Sequence, residues 1–148
     1  NLRDIPEEDW QYGENASWLY YLFPNVQLGG GGHDANLIKI YPDPKNPGRS
    51  ITKVNHYFSQ EFIDYVSQVP DDGKSAYDKD RNPSLDGVVE VFDTTIEQED
   101  YLMGETTQKS AETGIVKEFI FGRNEPALHH YHNTFREALN LPPLEKVG

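Results

Sequence analysis

SLDGVVEVFDTTIEQEDYLMGETTQKS, residues 84–110, is the stretch on which the fold turns. Val88, Val91, Phe92, Thr95, Ile96, Leu102 and Met103 recur at helical spacing. That spacing predicts one long helix over Gly87–Ser110, with Ser84 or Asp86 as its N-cap. Glu97, Glu99 and Asp100 interrupt the apolar pattern, and Glu105 and Gln108 follow. A carboxylate against buried surface is unfavourable unless it is paired, protonated or bound to a cation. At about 100° per residue, Glu99 falls inside the apolar stripe and Asp100 on its edge, whereas Glu97 points away. Periodicity alone favours a solvated helix face, and Glu97 fits it. Glu99 and Asp100 fit it less well and are the candidate metal ligands. A bend in the helix here would shift these angles by a residue.

Strands precede this helix. Residues 17–23 (SWLYYLF) are aromatic and β-rich, and Pro24-Asn25 ends them. Val26–Leu28 continues as strand toward Gly29–Gly32, a run read as a close backbone approach or a mobile turn. It lacks the Lys-Ser/Thr ending of a phosphate loop. Leu37–Tyr41 and Arg49–Phe58 alternate around the Pro/Gly-rich turn 42–48, which predicts an antiparallel hairpin. Residues 17–58 therefore read as a three-stranded meander. Residues 59–66 suit a short helix, and 70–84 an exposed polar loop. Beyond the long helix, Ile115–Phe121 is a short strand candidate. Asn124-Glu125-Pro126 opens a last helix running to about Leu139 and ended by Pro142-Pro143. Strands followed mainly by helices give an α+β chain, with an irregular lead-in over 1–16 and the domain proper over 17–148.

Composition bounds the function. The chain has 148 residues, 36% of them hydrophobic, enough for one core. It has no cysteine, which excludes disulfides, thiolate metal sites and an iron–sulfur cluster within it and fits a reducing, cytoplasmic setting. No apolar run approaches the roughly 20 residues of a membrane span. A net charge of −12 argues against nucleic acid or an anionic membrane as partner. Asn1 is not an initiator Met, and the expectation is a piece of a longer protein.

No nucleophile–base pair stands out, and no serine lies in a Gly-x-Ser-x-Gly setting. His129 and His132 share a helical face, a geometry open to a metal. The plainer reading places His132 near the packed face and His129 and His130 toward solvent. His33, after the glycines, and His56, mid-strand, read as structural.

Three stretches carry a family resemblance. Leu22-Phe23-Pro24-Asn25 closes an aromatic strand. Glu97-Gln98-Glu99-Asp100, followed by Glu105 and Gln108, lies on the long helix. Phe121-Gly122-Arg123-Asn124-Glu125-Pro126 leads into the last helix. In this order and spacing the chain, from about Trp18 to Leu144, resembles the C-terminal catalytic part of the α subunit of Rieske-type non-haem iron oxygenases, the ring-hydroxylating dioxygenases and related monooxygenases.

The resemblance implies a helix-grip fold of the START/Bet v1 type, an antiparallel sheet packed on a long C-terminal helix. It implies O₂-dependent hydroxylation of an organic, aromatic substrate at a mononuclear Fe(II) held by two histidines and one aspartate. The matching aspartate is Asp100, with Glu99 as fallback. Ile96, one turn before it, is implied to line the substrate pocket, with Phe92 a further turn back. The resemblance also implies a [2Fe-2S] Rieske cluster, a reductase or ferredoxin as electron donor, and a trimer with or without a β subunit. The family's Asp-x-x-His-x-x-x-x-His stretch and its cluster-binding cysteines have no counterpart here. The chain therefore matches roughly the last third of such a subunit, and the expectation is that it is inactive alone. The alternative is a non-enzymatic helix-grip module that binds an apolar small ligand, and a further one is an assembly domain with an exposed apolar patch.

Overall fold

The computed structural model describes residue 6 and residues 17–146; most of the expected irregular lead-in lies outside them. The chain divides into two compact units, Asn1–Gln98 and Glu99–Gly148.

The first unit carries a four-stranded antiparallel sheet in the order β1-β2-β3-β4. The strands are β1 (Ser17–Leu22), β2 (Val26–Gly31), β3 (Asp34–Asp43) and β4 (Asn46–Phe58). The meander gains a strand over expectation because the glycine run is not a loop: Gly29, Gly30 and Gly31 lie in β2, paired with Leu19, Trp18 and Ser17 on one side and with Asn36, Ala35 and Asp34 on the other. A ladder on both edges offsets glycine's weak strand preference. The turn comes one residue later, at Gly32, whose φ of 58° lies in the left-handed region.

Asn25 ties the first hairpin to β3. Its Nδ2 donates to the Ile40 carbonyl at 2.9 Å, and its own carbonyl accepts from Ile40 N–H at 3.0 Å. Asn25 of the Phe-Pro-Asn motif thus acts in this structure as a strand clasp.

Two helices complete this unit, α1 (Gln60–Val66) and α2 (Leu85–Thr95). Ser59 caps α1, its Oγ accepting from Phe62 N–H. Phe62 lies against Phe58 and stacks on His33, with ring centroids 5.9 and 5.7 Å apart. Ser84, not Asp86, caps α2, its Oγ accepting from Gly87 N–H at 3.1 Å. Helix α2 meets the inner sheet face at His56, whose ring receives Phe92 edge-on at 5.1 Å. Ile38, 6% exposed, is the buried hydrophobe among the described residues. The outer face stays open, with Tyr20, Leu22, Ile51 and Tyr57 all exposed.

The single long helix expected over Gly87–Ser110 is interrupted. After α2 a π-helical turn spans Ile96–Tyr101, and α3 runs Leu102–Glu112. A π turn closes i→i+5 hydrogen bonds, so wheel angles at 100° per residue do not carry through it. The last helix is α4 (Pro126–Ala138), and its N-cap is Glu125. The Glu125 carboxylate turns back to accept from Gly122 N–H at 2.6 Å. The strand expected over Ile115–Phe121 does not form. Those residues have no partner strand, and a strand without a ladder leaves its backbone groups to solvent; Ile115 is 82% exposed and Ile120 76%.

Candidate functional site

The inner sheet face forms a cleft of about 500 Å³ whose lining includes Ser17, Leu19, Gln27, Gly29, Gly31, Asp34, Asn36, Ile38 and Phe92. Register explains why. Ser17, Gly31 and Asp34 lie in one cross-strand row and Leu19, Gly29 and Asn36 in another, with Gln27 and Ile38 in the next. Alternation along each strand sends these side chains to one face. The two inward glycines leave the floor open, since a Cβ at Gly29 would already stand 3.0 Å from Leu19 Cδ1. The glycine run, expected as a close backbone approach or a mobile turn, thus contributes Gly29 and Gly31 to the cleft floor. Its signal in the sequence is the i, i+2 spacing of Gly29 and Gly31, which becomes readable once the register is known.

Phe92, a candidate substrate contact, is half-buried and lines this cleft. Ile96, the other candidate, is half-buried on the first residue of the π turn and is not part of the lining. His56 lies beside the cleft. Its Nε2 is 3.2 Å from Asp93 Oδ1, and its side chain is 13% exposed. Asn36 is 7% exposed, and its Oδ1 has no hydrogen-bond partner.

In the second unit, the candidate ligand Asp100 and its fallback Glu99 lie on the π turn, and both are exposed. π turns inside α-helices are frequent at functional sites because the extra residue re-aims side chains. No hydrogen bond or ion pair among the described residues engages the Asp100 carboxylate, so its oxygens are free to ligate. It would supply one hard oxygen donor of the kind a mononuclear iron accepts. Among the described residues no group of three or more His, Cys, Asp or Glu side chains is placed to hold a metal.

Two of the α4 histidines lie against Phe121. His132 stacks on Phe121 at 4.6 Å, and His129 lies 6.4 Å from the same ring. His129, expected toward solvent, is half-buried, while His130 is exposed as expected. Phe121 folds back beside the first turns of α4, stacked on His132. Among the described residues no helix is long and apolar enough to cross a membrane.

No curated protein and no solved structure matches the chain. A family model does: that of the ring hydroxylating alpha subunit (catalytic domain), over residues 2–141. With nearly the whole chain inside that match, the protein belongs to the ring hydroxylating alpha subunit family through its catalytic domain.

Proposed function

We propose that this chain is the C-terminal part of an oxygenase that hydroxylates an organic, aromatic substrate with O₂ at a mononuclear non-haem iron fed by a Rieske cluster. Membership of the ring-hydroxylating family supports the oxygenase class. The single observation that carries the finer reading is the π turn Ile96–Tyr101, which interrupts a helix at the run holding Asp100. A regular helix would be the default for this sequence, and the wider turn presents an unengaged carboxylate. Asp100 would hold iron through a carboxylate oxygen and leave the remaining positions to two imidazoles and to exogenous ligands. The iron, when bound, supplies the oxygen chemistry.

The cleft beneath Phe92 is the proposed substrate site. Leu19, Ile38 and Phe92 provide the apolar and aromatic contacts that a ring requires, and the polar groups on β1–β3 orient it. The fold expected for this reading is the helix-grip type. Proposed partners are a reductase or ferredoxin donor and further copies of the subunit in a trimer, with or without a β subunit. The location proposed is cytoplasmic.

The test is isotopic. The full-length protein, supplied with its electron donors and a panel of aromatic substrates under ¹⁸O₂, is expected to release product carrying ¹⁸O. Product labelled only from H₂¹⁸O, or substrate consumption that needs no O₂, would contradict the proposal.

A further inference from the structure

We propose that Asn36 determines specificity by hydrogen-bonding a hydroxyl or amino substituent of the molecule held in the cleft; this rests on the reading of that cleft as the substrate site. Asn36 is 7% exposed, its Oδ1 has no partner, and it lines the cleft. A buried amide oxygen without a donor is unfavourable, and native interiors rarely leave one.

The sheet itself offers no remedy. Asn36 lies between Gly29 and His56 in its cross-strand row. Gly29 has no side chain, and His56 directs Nε2 to Asp93. The missing donor therefore comes from what enters the cleft.

The chemistry of that donor follows from the lining. Asp34 lies two residues before Asn36 on β3 and projects from the same face. No Lys, Arg or His belongs to the lining. A carboxylate or phosphate would meet the Asp34 carboxylate with no countercharge. An O–H or N–H group can donate to Asn36 Oδ1 and is compatible with Asp34 beside it. The carbon skeleton lies against Leu19, Ile38 and Phe92. A site built to satisfy a substrate donor discriminates strongly against analogues that lack it, because the protein group is then left buried and unpaired.

The experiment uses the full-length protein and four probes of matched size: phenol, aniline, toluene and benzoate. Dissociation constants are measured by calorimetry for the parent, Asn36→Leu, Asn36→Ser and Phe92→Trp, with thermal melts as the folding control. Phenol and aniline are expected to bind the parent at least about tenfold more tightly than toluene or benzoate. Asn36→Leu and Asn36→Ser are expected to weaken phenol about tenfold and to leave toluene within about twofold. Asn36→Leu should melt no lower than the parent, since it removes an unsatisfied polar group. Phe92→Trp, which fills the cleft, should weaken every probe that binds. Undiminished phenol binding in both Asn36 variants, a preference for benzoate, or no binding of phenol and aniline to the parent would overturn the proposal. If Phe92→Trp weakens phenol while the Asn36 variants do not, the cleft stands and the role of Asn36 falls. If Phe92→Trp leaves phenol unaffected, the reading of the cleft falls.

Discussion

His56 Nε2 lies 3.2 Å from Asp93 Oδ1, joining the fourth strand of the sheet to the helix above it. The contact is reinforced by Phe92, which meets the same imidazole edge-on at 5.1 Å. One histidine thus anchors the residue that overhangs the cleft. Its side chain is 13% exposed, whereas Asp93 is 55% exposed. His56→Ala removes the ring contact and the hydrogen bond and is expected to lower stability by about 1–3 kcal/mol. Asp93→Asn keeps an acceptor oxygen and should change stability by less than about 0.5 kcal/mol. Thermal or denaturant unfolding of the full-length variants checks the difference; equal losses would show that the Asp93 charge, not the aromatic contact, holds the helix.

Two neighbouring glycines should respond oppositely to alanine. A Cβ at Gly30 would meet the Asp34 carbonyl oxygen at 2.7 Å, a Trp18 ring carbon at 2.8 Å and Ala35 Cα at 3.0 Å. Backbone on that side cannot yield, so Gly30→Ala should destabilise by about 1–3 kcal/mol. At Gly29 the nearest atom is Leu19 Cδ1, at the end of an exposed side chain. Gly29→Ala should fold as the parent does while narrowing the cleft. Melting temperatures of the pair check this, and a Gly30→Ala variant as stable as the parent would refute the close approach.

Ser84 has two tasks. Its Oγ accepts from Gly87 N–H at 3.1 Å and from Arg81 Nη2 at 2.9 Å. Arg81 Nη1 is already buried without a partner. Ser84→Ala uncaps α2 and strips the guanidinium of this bond as well, a loss of about 1–2 kcal/mol. Ser84→Asp restores both acceptors and should recover most of it, as read by unfolding midpoints.

The loop before this helix should carry an acid transition. Asp72 accepts from Asn82 N–H at 2.9 Å and from Lys74 N–H at 3.1 Å. The Asn82 N–H foremost, then the Lys74 N–H and the charges of Lys74 and Arg81, hold its carboxyl below the ordinary value of 3.8, against an opposing contribution from partial burial. A lowered folded-state pKa favours the ionised, folded form. Its stabilisation is complete above the unfolded value and is lost as pH falls through the lower folded one. Amide resonances of Asn82 and Lys74 should therefore titrate with a midpoint below 3.8, and the step should vanish in Asp72→Asn. A midpoint at or above 3.8 would contradict the bonding described.

Much of the fold could be read from residue pattern, and the exceptions have physical reasons. Alternation located β3 and β4, and Ser84 and Pro126 marked two helix starts, because caps and periodicity are local. Gly29–Gly31 hid a strand: glycine carries no side-chain signal, and its extended backbone is fixed by ladders to β1 and β3. The π turn at Ile96–Tyr101 depends on backbone hydrogen bonding that the sequence pattern does not encode. Ile115–Phe121 has strand composition but no partner to pair with. Phe92 was singled out by the family resemblance, two turns before Asp100, and it lines the cleft. Asn36 was not, since its importance comes from register with Gly29 and from an acceptor left empty.

The central claim is that Asp100, on the π turn, is an iron ligand. The direct measurement is iron stoichiometry of the full-length protein beside its Asp100→Ala and Glu99→Ala variants, each verified as folded. The account predicts that Asp100→Ala loses mononuclear iron at least about tenfold in affinity and loses turnover with it, while Glu99→Ala retains both. Full iron and full activity in Asp100→Ala would contradict it.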